Sequence, residues 1–223
     1  MFRPVKRSPS TPASRAGRPQ PTRPTPARGD GRTKLLDAAL GVIRARGYGA
    51  TRVEDICAAA GVSKGAFFHH FASKEALAIA AAHHWSDVTG ALFASAPYRS
   101  LPDPLDRVLA YVALRRELLR GRLPEFTCLA GTMVQEVFET APAVRDACAA
   151  SITGHAGTLV VDIEAARAKY APDADWSAES LALHTQAVLQ GAFILAKATD
   201  GPKLAEESVD HLDRYLRLLF RRP

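Results

Sequence analysis

Cysteine is scarce, with three residues in 223. Cys57, Cys128 and Cys148 are widely spaced, form no C-x-x-C pair and match no Cys/His ligand pattern, which argues against a disulfide framework, a zinc finger and any resident metal. Aromatics make up only 7%. β-Branched residues are sparse beside alanine and leucine, a balance that disfavours sheets and favours helices. No apolar run approaches the roughly 20 residues that a membrane span needs. The basic N-terminal segment has no apolar core of the kind that marks a secretory signal. A cytoplasmic protein with no membrane partner is therefore expected. Catalytic spacing is missing as well. His69-His70 and His83-His84 are adjacent pairs, and neighbours on a helix do not face one side. With no nucleophile–base or metal constellation, neither enzymatic activity nor a cofactor is expected.

What is present suits a folded protein with a real core: 47% hydrophobic and 23% charged residues. The length allows one large domain or two small ones. The formal charge of +6 is unevenly placed. Residues 1–32 hold eight Arg or Lys (Arg3, Lys6, Arg7, Arg15, Arg18, Arg23, Arg28, Arg32) against the single acid Asp30, a net of +7, so the remainder is close to neutral. The high isoelectric point belongs to this tail and is no argument that the folded part binds nucleic acid. Residues 1–30 contain seven prolines and no apolar periodicity, so this basic, Pro-rich tail is expected to be disordered. It reads either as a solvated extension or as an arm that adds non-specific attraction to phosphate.

From Arg32 onward the spacing predicts nine helices and no strand, an all-α protein. Leu36, Leu40 and Ile43 mark a first helix stopped by Gly47. Thr51 is read as the cap of a short helix Val53–Ala60, and Gly61-Val62-Ser63 as a tight turn into a second short helix, Lys64–His70. Ser73 opens a long helix with Leu77, Ala81, Trp85, Val88 and Leu92 on one face. Pro97, Pro102 and Pro104 mark a break. Leu105–Arg120 and Phe126–Glu139 read as helices. Pro142 begins a helix of almost 30 residues with Val144, Cys148, Ile152, His155, Leu159, Ile163, Ala166 and Tyr170 on one stripe. Ser177 or Asp175 caps the next, to about Lys197, and Val209, Leu212, Leu216, Leu219 and Phe220 stripe the last.

The informative block is Thr51–Lys74, T-R-V-E-D-I-C-A-A-A-G-V-S-K-G-A-F-F-H-H-F-A-S-K. Two short helices around a Gly-containing turn form a helix-turn-helix pattern. Ile56 and Ala60 pack the first helix, Gly61 supplies a positive φ, and Ser63 caps the second helix, whose N-terminal residues can then enter a major groove. Gly65 and Ala66 are small enough for close approach, Lys64 is placed for a base edge or phosphate, and Phe71 anchors the helix in the core.

The runs AAGVSKGAFFHHFASKEAL and LLDAALGVIRARGYGATRVEDI closely resemble the DNA-binding domain of TetR-family repressors, from Arg32 to about Leu77. The later helices, with the fragments Cys128-Leu-Ala-Gly, Gln135-Glu-Val and Pro142-Ala-Val-Arg-Asp, fit that family's ligand-binding and dimerisation domain. The resemblance implies a helix-turn-helix domain at 31–76, a linking helix at 74–95, and an effector-binding and dimerisation domain at 96–223. It implies a dimeric repressor on double-stranded operator DNA, released by a small-molecule effector. Thr51 and Arg52 then match phosphate contacts, and Ser63, Lys64, Gly65 and Phe67 lie on the recognition helix. Phe68 stands where relatives commonly carry a tyrosine whose hydroxyl reaches phosphate, so that bond is missing here. His70 and Lys74 match further phosphate contacts.

The helix 177–199 is apolar on two sides: Leu181, Val188, Ala192 and Leu195 on one, Leu183, Ala187, Gly191 and Ile194 on the other. A helix apolar all round should be buried all round. The resemblance resolves this as a four-helix homodimer interface made with residues 203–221, drawing on Leu181, His184, Ala187, Val188, Gly191, Leu195, Leu212, Leu216 and Leu219. A two-fold dimer sets two recognition helices about 34–36 Å apart, matching a palindromic operator. Candidate ligand-pocket residues are the odd members of apolar stripes. His155 reads either as a satisfied core residue or as a ligand contact. Cys128, Thr132 and Gln135 form a polar line, facing either a cavity or solvent. Trp85, Phe93, Tyr111, Met133 and Phe138 are candidate walls, and Arg115 is a candidate partner for an acid or an anionic ligand. Cys128 opens its helix, where the dipole favours a thiolate, with Lys197 on a neighbouring helix. Cys57 and Cys148 are expected to be inert.

Overall fold

The computed structural model describes residues 30–221. The basic segment 1–29 lies outside the described residues, and with it the expectation for the tail. Among the described residues there are ten α-helices, one 3-10 turn at Pro97–Ser100 and no strand. The helices are α1 (Asp30–Arg46), α2 (Val53–Ala60), α3 (Lys64–His70), α4 (Lys74–Ala94), α5 (Pro104–Glu117), α6 (Leu123–Phe126), α7 (Leu129–Val137), α8 (Pro142–Tyr170), α9 (Ala178–Ala198) and α10 (Lys203–Leu219). No helix is long and apolar enough to cross a membrane.

The expected helix Phe126–Glu139 is two helices. Pro124 opens a fresh turn, and Thr127 and Cys128 both adopt extended backbone before α7 begins. The Thr127 hydroxyl closes α6 by donating to the Leu123 carbonyl at 2.8 Å. Cys128 caps α7, its sulfur accepting from the Gly131 amide at 3.3 Å. Other starts follow the side-chain oxygens that the sequence supplies. Ser63, Ser73 and Ser177 each accept an amide hydrogen from three residues on, satisfying a donor that the first turn otherwise leaves bare. Gly47 ends α1 at φ +86°, and Gly61 turns α2 into α3 at φ +65°, a region that side chains resist.

Two hydrophobic clusters form the core. One joins α1–α4 through Leu35, Ile43, Ile56, Phe67 and Leu77, and continues into α7 and the start of α8 through Leu129, Met133, Val144 and Cys148. The second fills the space among α5, the rest of α8, α9 and α10. The clusters thus divide along α7 and α8 rather than at the proline-rich break near residue 97. The α4 stripe is corrected accordingly. Leu77 and Ala81 are buried, but Val88 and Leu92 are 47% and 45% exposed. The second half of α4 crosses α8 and buries Phe93 instead.

Candidate functional site

The helix-turn-helix is set by short local bonds. Arg52, not Thr51, occupies the cap of α2, and its amide donates to the Asp55 carboxylate at 2.9 Å. Thr51 is 1% exposed, because its hydroxyl turns back to donate to the Gly47 carbonyl at 2.6 Å. That hydroxyl holds the α1–α2 turn and is not presented to a phosphate. On α3 and its cap the surface consists of Ser63, Lys64, Gly65, Phe68 and His69, with His70 half-buried. Phe67 is a correction. It is fully buried, with its ring centroid 5.9 Å from that of Phe71. The pair lies four residues apart on the core face of a seven-residue helix, so Phe67 anchors α3 and cannot touch DNA. Phe68, edge-on to Phe67 and 50% exposed, presents its ring outward.

The two lysines expected to meet DNA differ. Lys64 Nζ donates to Glu54 at 2.6 Å, and both side chains are 58% exposed. This pair raises the lysine pKa and lowers that of the carboxyl, but an ion pair so open to solvent is readily exchanged for another anion. Lys74 is instead spent on the protein. Its ammonium donates to the Tyr48 and Thr51 carbonyls at 3.0 Å each and lies over the Tyr48 ring. Two of its three donors pin the α1–α2 turn, a structural role that the sequence did not suggest beside the phosphate contact expected of Lys74.

A cavity of about 130 Å³ lies between α4, α5, α6–α8 and α9. Trp85, Phe93, Phe126 and Phe193 supply aromatic walls, and Arg115, Cys128, His155, Gln186 and Gln190 supply polar atoms. Of the expected pocket residues, Trp85, Arg115, Cys128 and His155 therefore come together. Tyr111 stands behind the wall, fully buried, and joins two lining residues. Its hydroxyl accepts from Gln186 Nε2 at 3.0 Å and shares a hydrogen bond with His155 Nε2, also at 3.0 Å. Burial, with the positive charges of Arg115 and Arg99 near by, pushes the His155 pKa down to about 4, so the ring is a neutral imidazole at neutral pH. Thr132 and Gln135 do not line the cavity. Thr132 donates to the Cys128 carbonyl and accepts from Lys197, while Gln135 folds back on the Gly131 carbonyl. Both satisfy helix backbone, as short polar side chains on helices tend to do. Lys197 thus reaches α7 at Thr132. Met133 is plain core and Phe138 is 59% exposed, so neither is a wall. Sequence reasoning missed Gln186 and Gln190, although two amides one turn apart on an otherwise apolar helix were a legible signal.

The cavity is joined to the helix-turn-helix through α6–α7. Arg44 on α1 donates to the Leu40 and Thr127 carbonyls at 2.8 and 3.4 Å, and its guanidinium lies 4.8 Å from the centroid of the Trp85 ring. At the other end of α7, the two Glu136 carboxylate oxygens accept from the Tyr48 and Gly49 amides at 3.0 and 2.7 Å. A Cβ on Gly47 would collide with that carboxylate, so glycine serves there both the turn and the close approach. Glu136 is a second residue that sequence reasoning missed, since no local pattern marks a carboxylate bonded 87 residues away.

On α9 and α10 the two apolar stripes part. Leu181, Ala192, Leu212 and Leu216 face the chain's own core, and Val188 and Leu219 are half-buried against it. Leu181, Leu212 and Leu216 are therefore corrected from interface to core, because α9 and α10 pack on α5 and α8 through those positions. Left outward are Leu183, Ile194, Leu195, Tyr215 and Leu218, the last 78% exposed, with Ala187 and Gly191 on the same side of α9. His184 packs on Tyr215 with ring centroids 5.3 Å apart.

Two family models match, described as "Bacterial regulatory proteins, tetR family" over residues 35–81 and "Tetracyclin repressor-like, C-terminal domain" over residues 104–212. The HTH-type transcriptional repressor KstR2 of Rhodococcus jostii is 44% identical over 59 residues, 26% of this chain and 29% of that protein. The HTH-type transcriptional repressor DhaR of a Mycobacterium species is 34% identical over 115 residues, 51% of this chain and 56% of that one. The matches thus span about a quarter to about half of these curated relatives. Among solved structures, a TetR transcriptional regulator from Chloroflexus aurantiacus superposes with a TM-score of 0.73 at 27% identity, over 84% of this chain and 94% of the other. The reduced form of NemR from E. coli shares the fold, with a TM-score of 0.70 at 22% identity over 82% and 94%. The helix-turn-helix at the N-terminal end, the helical body that carries the cavity and these matches agree: the chain belongs to the TetR family of DNA-binding transcriptional regulators, a family of regulators rather than enzymes.

Proposed function

We propose that this chain is a ligand-responsive repressor that binds a palindromic operator as a homodimer and lets go when a small molecule fills the cavity. In this reading residues 31–76 read DNA, the helix 74–95 links, and 96–223 bind effector and partner. Arg52, Ser63, Lys64, Gly65, Phe68 and His70 face the duplex. The observation that carries the reading is the single helix α7, whose Cys128 end lines the cavity and whose Glu136 end grips the turn before α2. A molecule that wedges the cavity and shifts α7 must move that turn, or break its two hydrogen bonds. Either change favours one orientation of the recognition helices over another, and a ligand with such a preference shifts the equilibrium. That the relatives KstR2 and DhaR are transcriptional repressors supports the direction of control.

The test is selection of bound duplexes from a random pool, followed by titration of the enriched site. A two-fold symmetric motif with half-sites one helical turn apart is expected. Enrichment of no motif would instead mark a sequence-blind DNA coater. Removing residues 1–30 separates the two readings again: a specific repressor keeps its preference, whereas a tail-driven coater loses most of its affinity.

A further inference from the structure

Among the described residues, every partly buried Arg or Lys has a polar or acidic partner except one that borders the cavity. Arg107 and Arg99 pair with Asp162, and Arg116 pairs with Glu206 and Asp210. Arg44 and Lys197 rest on a carbonyl and a hydroxyl. Arg115, half-buried, makes no ion pair and no hydrogen bond through its side chain among the described residues. Its guanidinium is held only by ring faces, 5.2 Å from the centroid of Phe93 and 5.5 Å from that of Phe193. Aromatic faces steady such a cation and leave its N–H fork unused. An unneutralised guanidinium at an apolar cavity is costly unless an anion arrives to meet it.

The other polar groups fit one end of a ligand only. His155 Nε2 and Gln186 Nε2 are committed to Tyr111. Glu125 lines the cavity but is already held by the Arg122 side chain and amide. The Thr89 hydroxyl donates to the Trp85 carbonyl, the Ser151 hydroxyl accepts from Ser86 and the Cys128 sulfur accepts from the Gly131 amide, which leaves the Gln190 amide as the remaining polar group beside aromatic and aliphatic walls such as Trp85, Phe126 and Ile152. The volume of about 130 Å³ is close to that of a cavity known to hold benzene, about 150 Å³.

We infer that the effector is a small organic carboxylate, with a single ring or a branched body of that size packed on Trp85 and Phe126 and its carboxylate forked onto Arg115. This assignment rests on the ligand-responsive reading above and names the chemistry of its effector. Bidentate guanidinium–carboxylate geometry gives both affinity and orientation, and a neutral analogue forfeits the charge-assisted part.

Calorimetric titration of the full chain with benzoate, benzamide and benzylamine tests it, repeated with phenylacetate and phenylacetamide to vary the body. The carboxylate is expected to bind at least about tenfold tighter than its amide, and benzylamine most weakly of all. Arg115→Gln should erase this order. Arg115→Lys keeps the charge and should retain the order at reduced affinity, which covers the case in which the Gln variant folds poorly. Equal or tighter binding of the amide or amine, a carboxylate preference that survives Arg115→Gln, or no binding by any of the five compounds would overturn the assignment. Operator binding followed in parallel separates the two claims. Release by neutral compounds alone keeps the effector reading and removes the anion site. Carboxylate binding that leaves the operator complex intact keeps the anion site and removes the effector reading.

Discussion

Lys64 and Lys74 show how much a single side chain's neighbours decide. Both are lysines near the recognition helix, yet one faces an exposed glutamate and the other two backbone carbonyls. Lys64→Ala should lower the slope of log K against log salt by about one unit, or relax base preference at a cost of about 1–3 kcal/mol. Lys74→Met should leave that slope unchanged and lower the melting temperature, since it strips two carbonyls of charged donors worth about 1.5–3 kcal/mol each at most. A reduced slope with an unchanged melting temperature would return Lys74 to the phosphates. The thiols divide in the same way. Cys57 and Cys148 are buried, the second with its pKa raised to about 12 by burial, whereas Cys128 borders the cavity. Brief iodoacetamide treatment of the native protein should therefore give one adduct, on Cys128, by peptide mass mapping, and this alkylation should release operator DNA from wild type but not from Cys128→Ser. Equal behaviour of the two proteins would remove Cys128 from the effector response. His155 sets a pH dependence. Its folded pKa of about 4 lies below the unfolded value near 6.5. The unfolded chain thus binds the extra proton between those values, and stability falls as pH drops through that window, by up to about 3 kcal/mol. His155→Gln should melt at more nearly equal temperatures at pH 7.5 and pH 5, and a loss identical to wild type would show that other groups control the acid limb.

At the scale of elements, most of the fold was legible because it is written locally. Ser63, Ser73 and Ser177 are caps in sequence and in structure, Gly47 and Gly61 stop helices where expected, and Pro142 opens α8. What failed was non-local or finely balanced. The α6–α7 break escaped because Thr127 and Cys128 read as ordinary helix residues, whereas in the fold Thr127 closes α6, Cys128 caps α7 and Arg44 from a distant helix donates to the Thr127 carbonyl. The cap of α2 was misplaced by one residue because Asp55 on N3, rather than Thr51, supplies the bond. The cavity was half legible: odd residues on apolar stripes identified Arg115, Cys128 and His155, but i, i+4 spacing could not tell a lining position from one that folds back onto its own helix, as Thr132 and Gln135 do. Invisible in the sequence was the Glu136 clamp. Glu136→Ala leaves the Tyr48 and Gly49 amides bare in a turn that precedes the DNA-reading pair. Operator affinity should change several-fold in this variant and its response to ligand should shrink, in line with a coupling of about 1–3 kcal/mol. Ligand affinity measured without DNA should stay within about twofold. Wild-type coupling in Glu136→Ala, by titration of ligand with and without operator, would show that the signal travels by another route such as α4.

The whole molecule poses the question of what covers α9 and α10. Leu183, Ile194, Leu195, Tyr215 and Leu218 are large, apolar and exposed together on two adjacent antiparallel helices. Scattered apolar residues are normal on a surface, but a contiguous set of this kind marks an interaction site. A two-fold partner would lay the same face against itself, giving a four-helix contact, and such contacts are stable at roughly 800 Å² per partner. Gly191 sits within this face, and nothing lies within 4 Å of the position its Cβ would occupy. That emptiness makes the position diagnostic. Within a single chain, Gly191→Glu has room and costs only what a surface substitution on a helix costs. Against a symmetry mate it buries a charge beside its own copy, a penalty of several kcal/mol. The variant should thus remain helical, with a melting temperature close to that of wild type at high dilution, yet run as a monomer by light scattering at low micromolar concentration. Because both half-sites must be engaged at once for tight binding, the same variant should lose most operator affinity while its cavity still binds ligand. Leu218→Asp, on the other helix of the pair, should reproduce this pattern. If both variants stay dimeric, the chains meet through some other surface, and α9 and α10 face a different partner.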